Sequence, residues 1–400
     1  VWDAVRFACG CVPGGAAGDI SGLMEPSTTV EPPVEQPVAQ AASAKRDHYI
    51  DFLRTASLFV VVVWHWIFTV VDWRADGPHA GNPIGSAHLL WALTWLLQVM
   101  PVFFFVGGFS HLVTWQSVRR KGGGYGKFVS RRLKRLLVPT AVILVLAAAI
   151  SVVMSIVEPG VTWINRGLIL MVSPLWFLGL YVILVLLTPA AIWFHEKGGE
   201  IVPVVMAGCA ALVDILRFRY HIQGIELVNM FLIWGLAHQL GFFWNRLTAA
   251  PRRFAWCLTL GGFFALLGLT NMGLYPKSMV GVPGEAISNM APPTLCIVAL
   301  TLFQVGVVLL LRERLTDWLA RPAPQRLMGW AATRAMTVYL WHCPGFALAY
   351  AILTLAGLQI PESTNLAWWL QRPLWAIAPA VCTVPLVLAF SRFEKRGRPA

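Results

Sequence analysis

Ten apolar runs dominate the sequence: 52–71, 88–115, 136–157, 175–194, 201–216, 225–244, 254–274, 290–311, 335–355 and 368–390. A helix crossing the hydrocarbon core needs about 20 mostly apolar residues. The pattern therefore predicts an all-α fold, a polytopic membrane helix bundle of about ten transmembrane helices. The run at 201–216 is short, and the last contains Pro373, Pro379 and Pro385. The stretch 163–172 suits an interfacial or re-entrant piece. Composition closes off a soluble globule: 57% of residues are hydrophobic, only 12% are charged, and mean hydropathy is +0.66. A soluble domain carries about 25% charged residues.

Charge in the loops gives the orientation. With the N-terminus inside, the cytoplasmic segments hold 23 Lys and Arg, eight of them between Arg119 and Arg135; the opposite side holds six. That asymmetry is what the positive-inside rule predicts for an even number of crossings with both termini cytoplasmic. The net charge of +12 is thus a loop bias, and no nucleic-acid partner is expected. Membrane lipids are the expected surroundings.

Residues 1–46 lack long apolar runs and are rich in Pro, Gly, Ala, Ser, Val and Glu. They also lack the basic start and apolar core of a signal peptide, and read as a disordered N-terminal tail. Residues 47–392 form the membrane domain, and 393–400 a short basic cytoplasmic tail. Cys9 and Cys11 fall in the N-terminal tail. Cys209, Cys257, Cys296, Cys343 and Cys382 fall in apolar runs and read as small buried hydrophobes. Neither His nor Cys occurs at zinc spacing, and no phosphate-binding Gly loop with Lys or Gly-x-Ser-x-Gly elbow is present. No metal and no bound cofactor is expected.

An ionisable residue inside a membrane costs a few kcal/mol or more and calls for a reason. Arg54 and His65 stand eleven residues apart in the first run, about three turns, on one helix face and roughly 16 Å apart along the axis. Asp51 is placed to pair with Arg54. Arg132 and Arg135 share a face at the start of the third helix, where guanidinium forks suit phosphate; anionic lipid headgroups would suit the same cluster. Gly107 and Gly108 allow close backbone approach, with helix packing the simpler reading, and His111 follows toward the cytoplasmic end. Trp176 reads as a belt residue. His342, beside Pro344, is a second imidazole candidate, and Asp214, Glu226 and His238 could pair or relay protons.

Taken in order, these motifs resemble the integral-membrane acyltransferase family 3, bacterial O-acyltransferases that modify cell-envelope sugars. The chain is similar in its first-helix Arg and, ten residues between, His (Arg54 and His65) and in its aromatic-rich second span, Phe103 to Phe109. Arg-x-x-Arg before a Pro-containing third helix (Arg132, Arg135, Pro139), Leu-Trp-Phe-Leu around Trp176 and the late Tyr-Leu-Trp-His ending at His342 complete the likeness. Many members carry Ser-Gly-Phe where this chain has Gly107-Gly108-Phe109, so a role for that Ser hydroxyl is not carried over.

The resemblance implies acyl transfer from cytoplasmic acyl-CoA, with acetyl-CoA the expected donor. The acceptor would be a hydroxyl on a carbohydrate or lipid-linked acceptor: a cell-envelope glycan, a glycolipid or a secondary metabolite. It implies catalytic roles for His65 and Arg54, donor binding by Arg132 and Arg135, and support from Asp51, Trp176 and His342. His65 would act as general base or as transient acyl carrier; both remain open. The location implied is the bacterial inner membrane, and no appended extracytoplasmic domain is expected. The rival class is a proton-coupled solute transporter built on the buried His, Asp and Glu; a channel-like or lipid-binding scaffold is a third.

Overall fold

The computed structural model describes residues 47–396, apart from 88, 159, 161, 359, 362 and 363. The expected tail at 1–46 and residues 397–400 lie outside the described residues. The chain folds as an α-helical bundle with one two-stranded hairpin among the described residues. In order the elements are α1 (His48–Phe68), β1 (Val70–Arg74), β2 (Gly77–Gly81), α2 (Leu90–Leu97), α3 (Met100–Arg120), α4 (Tyr125–Val157), α5 (Thr162–Val172) and α6 (Trp176–Gly198). There follow α7 (Ile201–Tyr220), α8 (Asn229–Gly241), α9 (Trp244–Ala249), α10 (Arg252–Asn271), α11 (Leu295–Leu319), α12 (Pro322–Ala332), α13 (Ala335–Leu355), α14 (Leu366–Leu370) and α15 (Arg372–Arg396).

Among the described residues nine segments are long and apolar enough to cross a membrane. Their apolar windows are 67% buried in the α2–α3 segment but 17% buried in α4. α4 turns Leu144, Val145, Ile150, Val152, Val153 and Ile156 outward, a row no aqueous surface would carry. The chain is a multi-pass membrane protein with α3 near its centre and α4 at its rim.

The sixth expected span, 225–244, is broken into a 3-10 turn at Ile225–Val228, the 13-residue α8, and α9. It still travels the length of α7. Asn229 Nδ2 donates to Asp214 Oδ1 near one end of α7 (2.9 Å), and Arg246 pairs with Glu200 at the other (2.5 Å). Protein rather than lipid surrounds α8, where Ile233, Trp234 and Ala237 are fully buried, so a discontinuous backbone is tolerated there. Gly108 of α3 and Gly241 of α8 make this possible. A Cβ on Gly108 would strike the His238 carbonyl oxygen, and one on Gly241 the Phe105 carbonyl oxygen. Helix packing thus accounts for Gly108.

The sequence reading misses two breaks. α1 ends at Phe68, three residues early, where the Thr69 hydroxyl donates to the His65 carbonyl (2.5 Å). The hairpin follows at once, pairing Val70 with Gly81 and Arg74 with Gly77. The second run splits at Gln98–Val99 into α2 and α3. Residues 393–396 of the expected basic tail continue α15, and Glu394 is buried, accepting from Thr337 N (3.1 Å) and Oγ1 (2.6 Å). The five described cysteines are free thiols; Cys296 is buried as expected, but Cys209 is exposed on α7, a correction to the sequence reading.

Candidate active site: a histidine pair between two cavities

α1 and α13 bring His65 and His342 together. His65 Nδ1 lies 2.7 Å from His342 Nε2. His342 Nδ1 meets the Tyr339 carbonyl one turn back on α13, and Trp66 Nε1 donates to the His342 carbonyl (3.0 Å). These partners settle the tautomers. A carbonyl only accepts, so His342 carries its proton on Nδ1 and offers a lone pair at Nε2. His65 then donates from Nδ1, which leaves its own Nε2 with the free lone pair. Pro344 lacks the N–H that would bond the Leu340 carbonyl and loosens α13 one turn beyond Tyr339.

His65 lines a cavity of about 400 Å³. The indoles of Trp64 and Trp176 and the rings of Phe177 and Tyr339 form apolar walls, with Gln98 and Asn82 among the polar groups. Mostly apolar walls with a few placed polar groups are the usual make-up of a small-molecule site. Trp176, expected in an interfacial belt, faces this cavity. Ala80, Gly81 and Asn82 carry the hairpin onto the cavity, and Asn82 Nδ2 donates to the Gly281 carbonyl (2.8 Å). The hairpin is tied to α5 through His79, which accepts from Arg166 at Nδ1 (2.9 Å) and donates from Nε2 to Asp76 (2.8 Å). That hydrogen bond, with the Arg166 guanidinium beside it, holds the Asp76 carboxyl below its usual range.

A second cavity, about 70 Å³, lies toward the basic end of the same helices. Arg54, Arg132 and Arg135 all line it, with Glu394 the acidic side chain beside them. Arg54 is paired with Asp51, as expected. Arg132 reaches across to α3, donating to the Ser110 carbonyl and the Thr114 hydroxyl, while its buried Nε has no partner among the described residues. A guanidinium with a spare buried N–H is suited to one more oxygen ligand. On α1, Leu58 faces this cavity and Val61 the larger one, so the Arg54–His65 face does connect the two.

Between the cavities lies a layer of rings. Phe103 and Tyr181 line the smaller cavity, Phe177 and Tyr339 the larger. Phe103 meets Phe177 at 5.2 Å and Tyr181 at 5.3 Å, and Phe177 meets Tyr339 at 5.1 Å. Tyr339 is fixed by its hydroxyl, which donates to the Pro174 carbonyl (2.5 Å).

The family model of an acyltransferase domain, that of acyltransferase family 3, matches residues 47–392. The chain belongs to this family. Neither the curated proteins nor the solved structures give a significant match. As a family member the protein is an acyltransferase; of the residues in the motifs, Arg54, Phe103, Arg132 and Arg135 line the smaller cavity and His65, Trp176 and Tyr339 the larger. The Asp214, Glu226 and His238 group does not assemble. Asp214 accepts from Asn229, Tyr275 (3.0 Å) and the backbone N–H of Leu295 (2.8 Å), which ties α7 and α8 to the loop before α11. His238 instead pairs with His111 (2.9 Å), both buried between α3 and α8. His111 is therefore a fully buried interior group.

The ring layer and the hairpin carry no local signal in the sequence beyond abundant aromatics. The His65–His342 contact joins residues 277 apart, and one sequence cannot show such a pairing.

Proposed function

We propose that this acyltransferase moves an acyl group, acetyl the expected one, from acyl-CoA to a hydroxyl of a cell-envelope glycan, a glycolipid or a secondary metabolite. The observation that carries the reading is the position of His65. It sits on the wall of the larger cavity with Nε2 free, on the same helix face as the arginine-lined cavity beyond the ring layer. The basic end faces the cytoplasm of a bacterial cell, consistent with the loop charges. Coenzyme A is a polyanion, and Arg132 and Arg135 bind its phosphates there, the spare Nε of Arg132 included. The smaller cavity widens to admit it, and the thin arm passes between the rings to bring the thioester to His65.

The acceptor enters the larger cavity from the hairpin side. His65 Nε2 takes the hydroxyl proton as the oxygen attacks the thioester carbonyl, and the His342 lone pair supports the imidazolium that forms. The tetrahedral intermediate then collapses. The carbon–sulfur bond breaks, the His65 proton passes to the departing thiolate, and free coenzyme A and ester result. Arg54 holds the donor end of the path.

A proton-coupled transporter would need a file of relaying groups. The separate partners of Asp214 and His238 speak against one. Purified full-length protein in detergent, given acetyl-CoA and candidate acceptors, should release free coenzyme A with matching acetyl ester by mass. Transport of an unmodified solute with no thioester consumed would overturn the reading.

A further inference from the structure

Behind the base lies a third ligand-type atom. Cys343 Sγ is 3.2 Å from His342 Nε2, the nitrogen that also faces His65 Nδ1. One ligand atom from each of His65, His342 and Cys343 falls within 4.8 Å of the other two. Zinc spacing is invisible in the sequence because the ligands come from two distant helices.

We propose that these three residues bind a zinc-class divalent ion, and that the ion switches the acyltransferase off. Two imidazoles and a thiolate form a ligand set that zinc takes in preference to magnesium or calcium. His342 already shows the outer arrangement of a metal ligand, with Nδ1 given to the Tyr339 carbonyl and Nε2 aimed inward. Zinc sits about 2.0–2.1 Å from nitrogen and about 2.3 Å from sulfur, so tetrahedral ligands stand roughly 3.3–3.6 Å apart. The present spacings of 2.7 and 3.2 Å need to open by only about half an ångström. The fourth position is left to water.

Proton accounting gives the functional effect. The ion binds neutral His342 at Nε2 and displaces the Cys343 thiol proton to solvent. Binding at His65 Nδ1 moves that ring's proton to Nε2. The nitrogen that took the acceptor's proton now carries one and cannot act as a base. Inhibition thus rests on His65 being the base; ion binding does not.

The test uses full-length protein in detergent, stripped with chelator and titrated anaerobically with Co²⁺. The wild type should show the intense visible bands of a tetrahedral site and a near-ultraviolet thiolate-to-cobalt band at one equivalent. Cys343→Ser should lose the thiolate band while its metal-free turnover matches wild type. Loss of a direct ligand costs at least the roughly 10–100-fold seen when an outer partner is removed. Zn²⁺ should therefore inhibit coenzyme A release in the wild type, reversibly with chelator, and need at least about tenfold more in Cys343→Ser. A wild type without the thiolate band, or a band that persists in Cys343→Ser, overturns the site. A site that forms by Co²⁺ spectroscopy in an enzyme that Zn²⁺ fails to inhibit overturns the switch, and points to a base other than His65.

Discussion

Although 277 residues separate them, His65 and His342 meet edge to edge with their rings 15° from parallel, Nδ1 of the first against Nε2 of the second. The pair turns an isolated imidazole into an oriented one. Its orientation originates in a backbone carbonyl on α13, so in the proposed reaction the second histidine would position the first.

His65→Ala should abolish acyl transfer, within the roughly 10²–10⁴-fold that loss of a general base costs, while donor binding stays near wild type. His65→Gln keeps the hydrogen bond to His342 but shuttles no proton, and should be nearly as inactive. Steady-state coenzyme A release measures both, and a Gln variant with half of wild-type activity would rule out proton transfer at this residue.

His342→Ala should lower kcat with little change in the donor's KM, because the arginine-lined cavity is untouched. His342→Asn retains a hydrogen-bonding side chain and should recover part of the loss. A merely structural role would instead lower the thermal midpoint of both variants without separating kcat from KM.

Changing Arg132 and Arg135 together to Ala should raise the KM for acyl-CoA well before it harms insertion. Lys at both positions should restore only part, since a point charge lacks the planar fork. An unchanged KM in a well-folded double variant would reassign the cluster to lipid headgroups.

The broken pass 225–249 makes its own prediction. A single cysteine at Ala250, in a background without exposed cysteines, should react with an impermeant reagent from the side that labels Gly123. One at Gly224 should react from the side that labels Asp76. Labelling of positions 224 and 250 from one side would reduce the crossings to nine.

Asp214→Ala removes the acceptor for three donors, from Asn229, Tyr275 and Leu295. Each donor left unpaired costs about 1–3 kcal/mol, so the thermal midpoint should fall clearly. The KM for acyl-CoA should hold, because Asp214 lines neither cavity.

Helix periodicity placed Arg54 and His65 on one face and Arg132 with Arg135 on another, because those relations are local. Apolar length marked the crossings for the same reason. It marked 225–244 as one continuous helix, which the structure breaks at α8, where protein rather than lipid surrounds the backbone and a 13-residue helix suffices. The hairpin escaped notice because Val70 and Val71 read as the end of an apolar helix, whereas the Thr69 hydroxyl closes α1 on the His65 carbonyl. Contacts between distant helices, His65 with His342 and His111 with His238, depend on the assembled bundle.

The rings of Phe103, Phe177, Tyr181 and Tyr339 have a consequence for the cell as well as for the substrate. These rings stand between the two cavities, so in a bilayer a membrane voltage would fall largely across these few side chains. That voltage is worth about 2.3 kcal/mol per elementary charge per 100 mV, and a gap there would short-circuit the gradient that powers the cell. The aromatic layer is electrical insulation. On the proposed donor path, a thioester arm passing through it would act as its own stopper, filling the opening it makes, and the gap would have to reseal before the spent carrier is fully withdrawn.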